Sequence, residues 1–170
     1  MKKVYIGLFG PGVVGGGVIE IIEENKEKYN NQIILKEDQS QNDLRKAINY
    51  AIDNSIDTIS ILGASGKRED HTIGNIFSLL DYQDINIKIY TDTGIFKNIN
   101  NNQIIKSFKG QKVSIFSPDK TIKIRSNGLK YNFNKDTISS LFYGTLNESN
   151  SNEFEIIITH GSLLIFQTYK

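Results

Sequence analysis

An α/β unit followed by an all-β unit is the architecture this sequence predicts, on three observations. Up to Tyr82, short apolar runs alternate with segments of helical period. From Asn86 onward the pattern becomes a period-two alternation broken by Gly, Asn, Pro and Asp. A length of 170 residues with 38% hydrophobic content provides for one ordinary core or two small ones. The first pattern predicts a small parallel, Rossmann-like sheet with helices over residues 1–83, and the second an antiparallel β-sandwich over residues 84–170.

Taken in order, the expected elements of the first half are a strand at 4–9, a helix at 18–29, a strand at 33–35, a helix at 43–52, a strand at 58–62 and a helix at 72–82. The last helix would start at Asp70 or His71 and turn Ile73, Ile76, Phe77, Leu79 and Leu80 inward. The second half predicts strands at 87–90, 112–116, 121–125, 129–133, 154–158 and 163–166, with 98–102 as a polar turn.

Composition narrows the function classes. Lys+Arg 20 against Asp+Glu 19 gives a formal net charge of +1, which speaks against nucleic acid or an anionic membrane as a partner. The apolar run at 4–9 is too short for a signal peptide or a membrane span, and no cysteine is present, so the cytoplasm is the expected location.

Three turns carry candidate chemistry. Gly10, Gly12 and Gly15 match G-x-G-x-x-G between a predicted strand and a predicted helix, with Glu37 and Asp38 after the next strand. Such glycines let a pyrophosphate approach backbone N–H groups, and they equally serve a plain tight turn. Asp38 and Asp43 flank a strand end and a helix start, where paired carboxylates hold Mg²⁺ or simply cap a helix. In the third turn, Gly63 and Gly66 permit close approach to a phosphate that Lys67 and Arg68 would neutralise. Asp70 also reads as a plain N-cap, and His71 as a polar residue in the first helical turn.

The stretches "DQSQNDLRKA" (38–47), "ILGASGKREDHTIGNI" (61–76) and "YGTLNES" (143–149) resemble the thiamine pyrophosphokinases, in the form found in Bacteroides-type bacteria, over residues 33–170. Residues 1–28 resemble instead the amino terminus of homoserine dehydrogenases. The first resemblance implies an enzyme that moves a diphosphate from ATP to the hydroxyl of thiamine, giving thiamine diphosphate and AMP. It implies Mg²⁺ as cofactor, ATP and thiamine as substrates, and a homodimer that shares the thiamine cleft. By the same resemblance Asp38 and Asp43 serve metal and phosphates, and Gln39 lines the ATP site with Gly63, Gly66 and Lys67. Arg68 and Asp70 meet phosphates or metal, and Thr145, Asn147 and Glu148 lie near thiamine. The family's amino-terminal DGG turn and GD-DS turn do not occur here, so an activity below that of a full-length relative is expected. A non-catalytic thiamine- or nucleotide-binding relative, or an NAD(P)-binding fragment built on the Gly10–Gly15 turn, are the alternatives.

Overall fold

The computed structural model of the protein describes residues 3–7 by their backbone, together with residues 41–66 and 68–170. Outside these lie the expected helix at 18–29 and strand at 33–35, and with them Gly10, Gly12, Gly15, Glu37, Asp38, Gln39 and Lys67. The described chain is β-rich, with few helices, and divides into two compact units, Met1–Ser78 with Ile89–Thr91 and Leu79–Lys88 with Asp92–Lys170.

In the first unit, β1 (Lys3–Gly7) pairs in parallel with β2 (Thr58–Leu62), register Lys3 to Thr58 through Gly7 to Leu62. Next in the strand order comes β3 (Asn86–Tyr90). Ile59 and Ile61 of β2 are fully buried. Helix α1 (Asp43–Asp53) buries Leu44, Ile48 and Ala51, the i, i+4, i+7 stripe its sequence predicts. Its N-cap is Asn42, whose side chain accepts from the Arg45 N–H at 2.9 Å. Helix α2 (Glu69–Phe77) is shorter than expected and passes at once into a 3₁₀ turn at Ser78–Asp81. Of the expected stripe, Ile76 and Leu79 are buried, while Ile73 is 60% exposed.

The second unit contains β4 (Gly94–Ile99), β5 (Gln103–Lys106), β6 (Lys112–Phe116), β7 (Lys123–Asn127), β8 (Asn134–Thr137), β9 (Asn147–Glu148), β10 (Glu153–Ile158) and β11 (Leu163–Thr168). They form two antiparallel ladders, ordered β4-β11-β6-β9 and β5-β10-β7-β8. One core joins them, with Ile99, Val113, Ile115, Leu163 and Ile165 from the first ladder packed with Ile105, Ile124, Phe154 and Ile156 from the second.

Two sequence expectations fail here for the same reason. Residues 129–133 alternate as a strand should, yet beyond an isolated bridge from Leu129 to Ser149 they bend away from any ladder, with Asn132 Oδ1 accepting from the Leu129 N–H at 3.1 Å and from Ser126 Oγ at 3.2 Å. Side-chain acceptors have replaced ladder partners. β7 likewise starts two residues later than expected, because Asp119 Oδ1 takes the Thr121 N–H at 2.7 Å and folds that residue into a turn. The expected polar turn at 98–102 is also shorter, since Asn98 and Ile99 belong to β4. Asn98 fits there because its amide donates to the carbonyls of Leu79 at 3.1 Å and Tyr82 at 2.6 Å. Among the described residues no helix is long and apolar enough to cross a membrane.

Candidate active site

β2 runs straight into the turn Gly63–Gly66, and both end glycines have positive φ, 73° and 142°. Side chains resist that backbone, so glycine is what allows the chain to leave the strand this sharply. Open space surrounds the position a Cβ would take on Gly66.

Side chains of α2 fasten the turn. Thr72 Oγ1 accepts from the Gly66 N–H at 3.3 Å and donates to the Arg68 carbonyl at 3.1 Å. Asn75 Nδ2 donates to the Ala64 carbonyl at 3.0 Å, and Asn75 Oδ1 in turn accepts from Asn42 Nδ2 at 3.3 Å. Asn42 caps α1 and immediately precedes Asp43, so this relay ties the start of α1 to the glycine turn. None of Asn42, Thr72 and Asn75 figures among the sequence-predicted site residues. Only Asn42 carried a local signal, as a capping residue at the start of α1.

Arg68 and Asp70 meet each other. Arg68 donates from Nε to Asp70 Oδ1 at 3.1 Å and from Nη2 to Asp70 Oδ2 at 2.6 Å, a two-pronged pair at the start of α2. Arg68 holds the Asp70 carboxyl below its usual range, helped by the His71 N–H, and Asp70 holds the guanidinium above its own. Two of five guanidinium donors are so occupied, and the others remain to an incoming oxyanion. Arg68, not Asp70, is the N-cap residue, and it makes no capping bond. Asp43 stands exposed at the first position of α1, with Lys46 Nζ 3.3 Å from one carboxylate oxygen. An exposed carboxylate of this kind is a hard oxygen donor of the sort Mg²⁺ takes. Among the described residues no three His, Cys, Asp or Glu side chains gather as a metal cage.

The second unit holds the other predicted residues. Gly144 carries them against β6: its carbonyl accepts from the Ile115 N–H at 2.8 Å, and a Cβ there would sit 2.0 Å from the Ile115 carbonyl oxygen. Thr145 Oγ1 donates to the Phe142 carbonyl at 2.7 Å. Asn147 is 3% exposed and turned to the backbone: Oδ1 accepts from the N–H groups of Tyr131 (3.1 Å) and Glu148 (2.9 Å), and Nδ2 donates to the Tyr131 carbonyl at 2.7 Å. Glu148 pairs with Lys112, which keeps its carboxyl below the usual range. Around them Phe142, Tyr143 and Leu146 are exposed, Leu146 most of all at 89% with a φ of 59°.

Two family models match the chain back to back: the catalytic domain of thiamin pyrophosphokinase over residues 8–91 and its substrate-binding domain over residues 94–166. The first takes in the Gly10–Gly15 turn, and the homoserine dehydrogenase resemblance gains no support. No curated protein matches. Among solved structures, thiamine pyrophosphokinase from Bacillus subtilis is 21% identical, with a TM-score of 0.75, covering 99% of this chain and 78% of that one. The enzyme from Geobacillus thermodenitrificans is 18% identical, with a TM-score of 0.75 and coverages of 99% and 77%. That from Candida albicans is 19% identical, with a TM-score of 0.59 and coverages of 91% and 61%. At these identities the likeness is one of fold.

Proposed function

The chain belongs to the thiamin pyrophosphokinase family, as an ATP-dependent diphosphotransferase that makes thiamine diphosphate, and we propose that its residues divide the reaction between two surfaces. The observation that carries this reading is the succession of the catalytic and substrate-binding matches along one chain. The first unit is read as a Rossmann-like α/β unit in which the Gly63–Gly66 turn receives the ATP phosphates. Arg68, aimed by Asp70, neutralises them with its remaining donors. The family resemblance assigns Lys67 and Gln39 to ATP as well. Asp43, and by the family resemblance Asp38, would hold Mg²⁺, which would supply charge neutralisation of the diphosphate.

Thiamine is the proposed ligand of the second unit. Its ring is a cation, and Glu148 is a carboxylate kept ionised by Lys112, so the two suit each other electrostatically. Apolar contact comes from Tyr143 and Leu146, both exposed. Thr145 and Asn147 shape this surface by holding the backbone of Phe142, Tyr131 and Glu148. Phosphoryl chemistry of this kind demands placement and neutralisation more than covalent work from the protein. The protein is read as a cytoplasmic homodimer.

AMP release with ATP and thiamine, followed across a magnesium titration, tests the proposal. Turnover that rises only at high magnesium is expected, because few carboxylates fix the metal. Full activity at low magnesium would mean that a further carboxylate, with Glu37 next to Asp38 in the sequence as the first candidate, serves the metal. Absence of AMP at every magnesium concentration, with thiamine still bound in a calorimeter, would leave a binding protein. NAD(P) binding without thiamine binding would return the Gly10–Gly15 turn to a dinucleotide role.

A further inference from the structure

A cavity of about 480 Å³ opens within the second unit against β4, β5 and β11. Lys88, Lys97, Lys106 and Lys170 line it together with Phe108, Gln167 and Tyr169, and among the described residues no Asp or Glu side chain does. Gln167 Nε2 donates to the Lys106 carbonyl at 3.0 Å and to Gln111 Oε1 at 2.9 Å, so that amide is consumed within the wall. The ammonium groups are left to set the chemistry.

Lys97 breaks the rule of its strand. On β4, residues 95, 97 and 99 share a face; Ile99 lies in the core, and Lys97 stands opposite Ile165, also in the core. An apolar residue is what that register asks for. An ammonium there loses hydration, and among the described residues it forms no ion pair in return. Burial, with the charge of Lys88 adding to it, brings its pKa down to about 8. A lysine that merely laid its stem along the apolar wall and kept its head in water would titrate normally. Departures from pattern of this sort gather at functional sites.

We propose that this cavity binds a small phosphate-bearing molecule with an apolar or aromatic body. Several compact ammonium charges call for a multivalent oxyanion, for which lysine is a point-charge binder. Phe108, Tyr169 and Ile95 offer the apolar remainder, and the volume falls in the range of roughly 300–1,000 Å³ common to ligand pockets. The site is built from the second unit alone and shares no residue with the Gly63–Gly66 turn.

The test is to titrate the lysine side chains by NMR in the full chain, with pyrophosphate, inorganic phosphate and phenyl phosphate as probes. With a bound anion the Lys97 pKa should rise by about one unit, a tenfold gain for the charged form. Phenyl phosphate should act at lower concentration than inorganic phosphate. The shift should persist in Arg68→Ala and vanish for pyrophosphate in Lys88→Ala plus Lys106→Ala. A Lys97 titration unmoved by every probe at millimolar concentration overturns the proposal. So does a shift that Arg68→Ala abolishes, since the anion would then act from the glycine turn. Equal potency of phenyl and inorganic phosphate removes the organic body from the proposal.

Discussion

Arg68 spends two bonds on Asp70 although both side chains are well exposed, 66% and 63%. Exposed pairs add little to stability, so the value of this one is orientation: it fixes the guanidinium plane at the head of α2. Arg68→Ala is accordingly expected to weaken ATP binding by about 1.5–3 kcal/mol, the range for hydrogen bonds to charged groups, with the thermal midpoint nearly unchanged. Calorimetry with ATP decides it, and an unaltered affinity would make GKREDH a surface turn. Asn147 calls for the opposite result. Its amide makes three bonds to backbone, two accepted and one donated, so Asn147→Ala should cost about 2–4 kcal/mol in urea unfolding. A variant of full stability but raised thiamine KM would show that the amide touches substrate after all. Sequence drew attention to both residues as members of their motifs. What it did not reveal is which side chain looks outward, because that depends on partners such as Tyr131, distant in the chain.

At the scale of elements, period-two alternation located β6, β10 and β11 well, since each has one face in a common core. The same signal misled at 129–133, where Asn132 supplies the acceptor that a ladder would have supplied. Alternation reports which face is buried, not what the backbone pairs with. β4 escaped notice for a related reason: Lys97 interrupts its apolar face, and no local signal distinguishes a buried lysine from an exposed one. That interruption has a pH signature. In the folded chain Lys97 titrates at about 8 rather than 10.5, so between these values the unfolded chain holds more protons and stability rises with pH. The contribution is complete above 10.5 and lost as pH falls through 8. Lys97→Met should therefore be more stable than the parent by about 1–3 kcal/mol at neutral pH, with the gap narrowing as pH rises through that window. Urea unfolding at several pH values measures it, and a gap independent of pH would place the ammonium in water.

At the scale of the whole molecule, the residues proposed for phosphate lie in the first unit and those proposed for thiamine in the second. Family resemblance explains why this division was legible early: the motifs fall on either side of the change from helical to alternating pattern. A transfer reaction nevertheless needs both surfaces on one pair of substrates. The second unit exposes Leu141 at 56%, Phe142 at 76%, Tyr143 at 53% and Leu146 at 89%, an apolar stretch that water does not favour. A second copy of the chain is the proposed cover, and a stable dimer buries roughly 800 Å² on each partner. Light scattering at micromolar concentration should then give twice the chain mass, and Phe142→Asp with Leu146→Asp should give the monomer and lose thiamine binding together. If phosphate and thiamine surfaces meet across two chains, mixing Arg68→Ala with Glu148→Gln restores one intact site in every mixed dimer. With random exchange, half the dimers are mixed and half their sites are sound, so activity should recover to about a quarter of the parent's. A dimer that recovers nothing after exchange would confine each site to a single chain, and a monomeric parent would remove the shared cleft altogether.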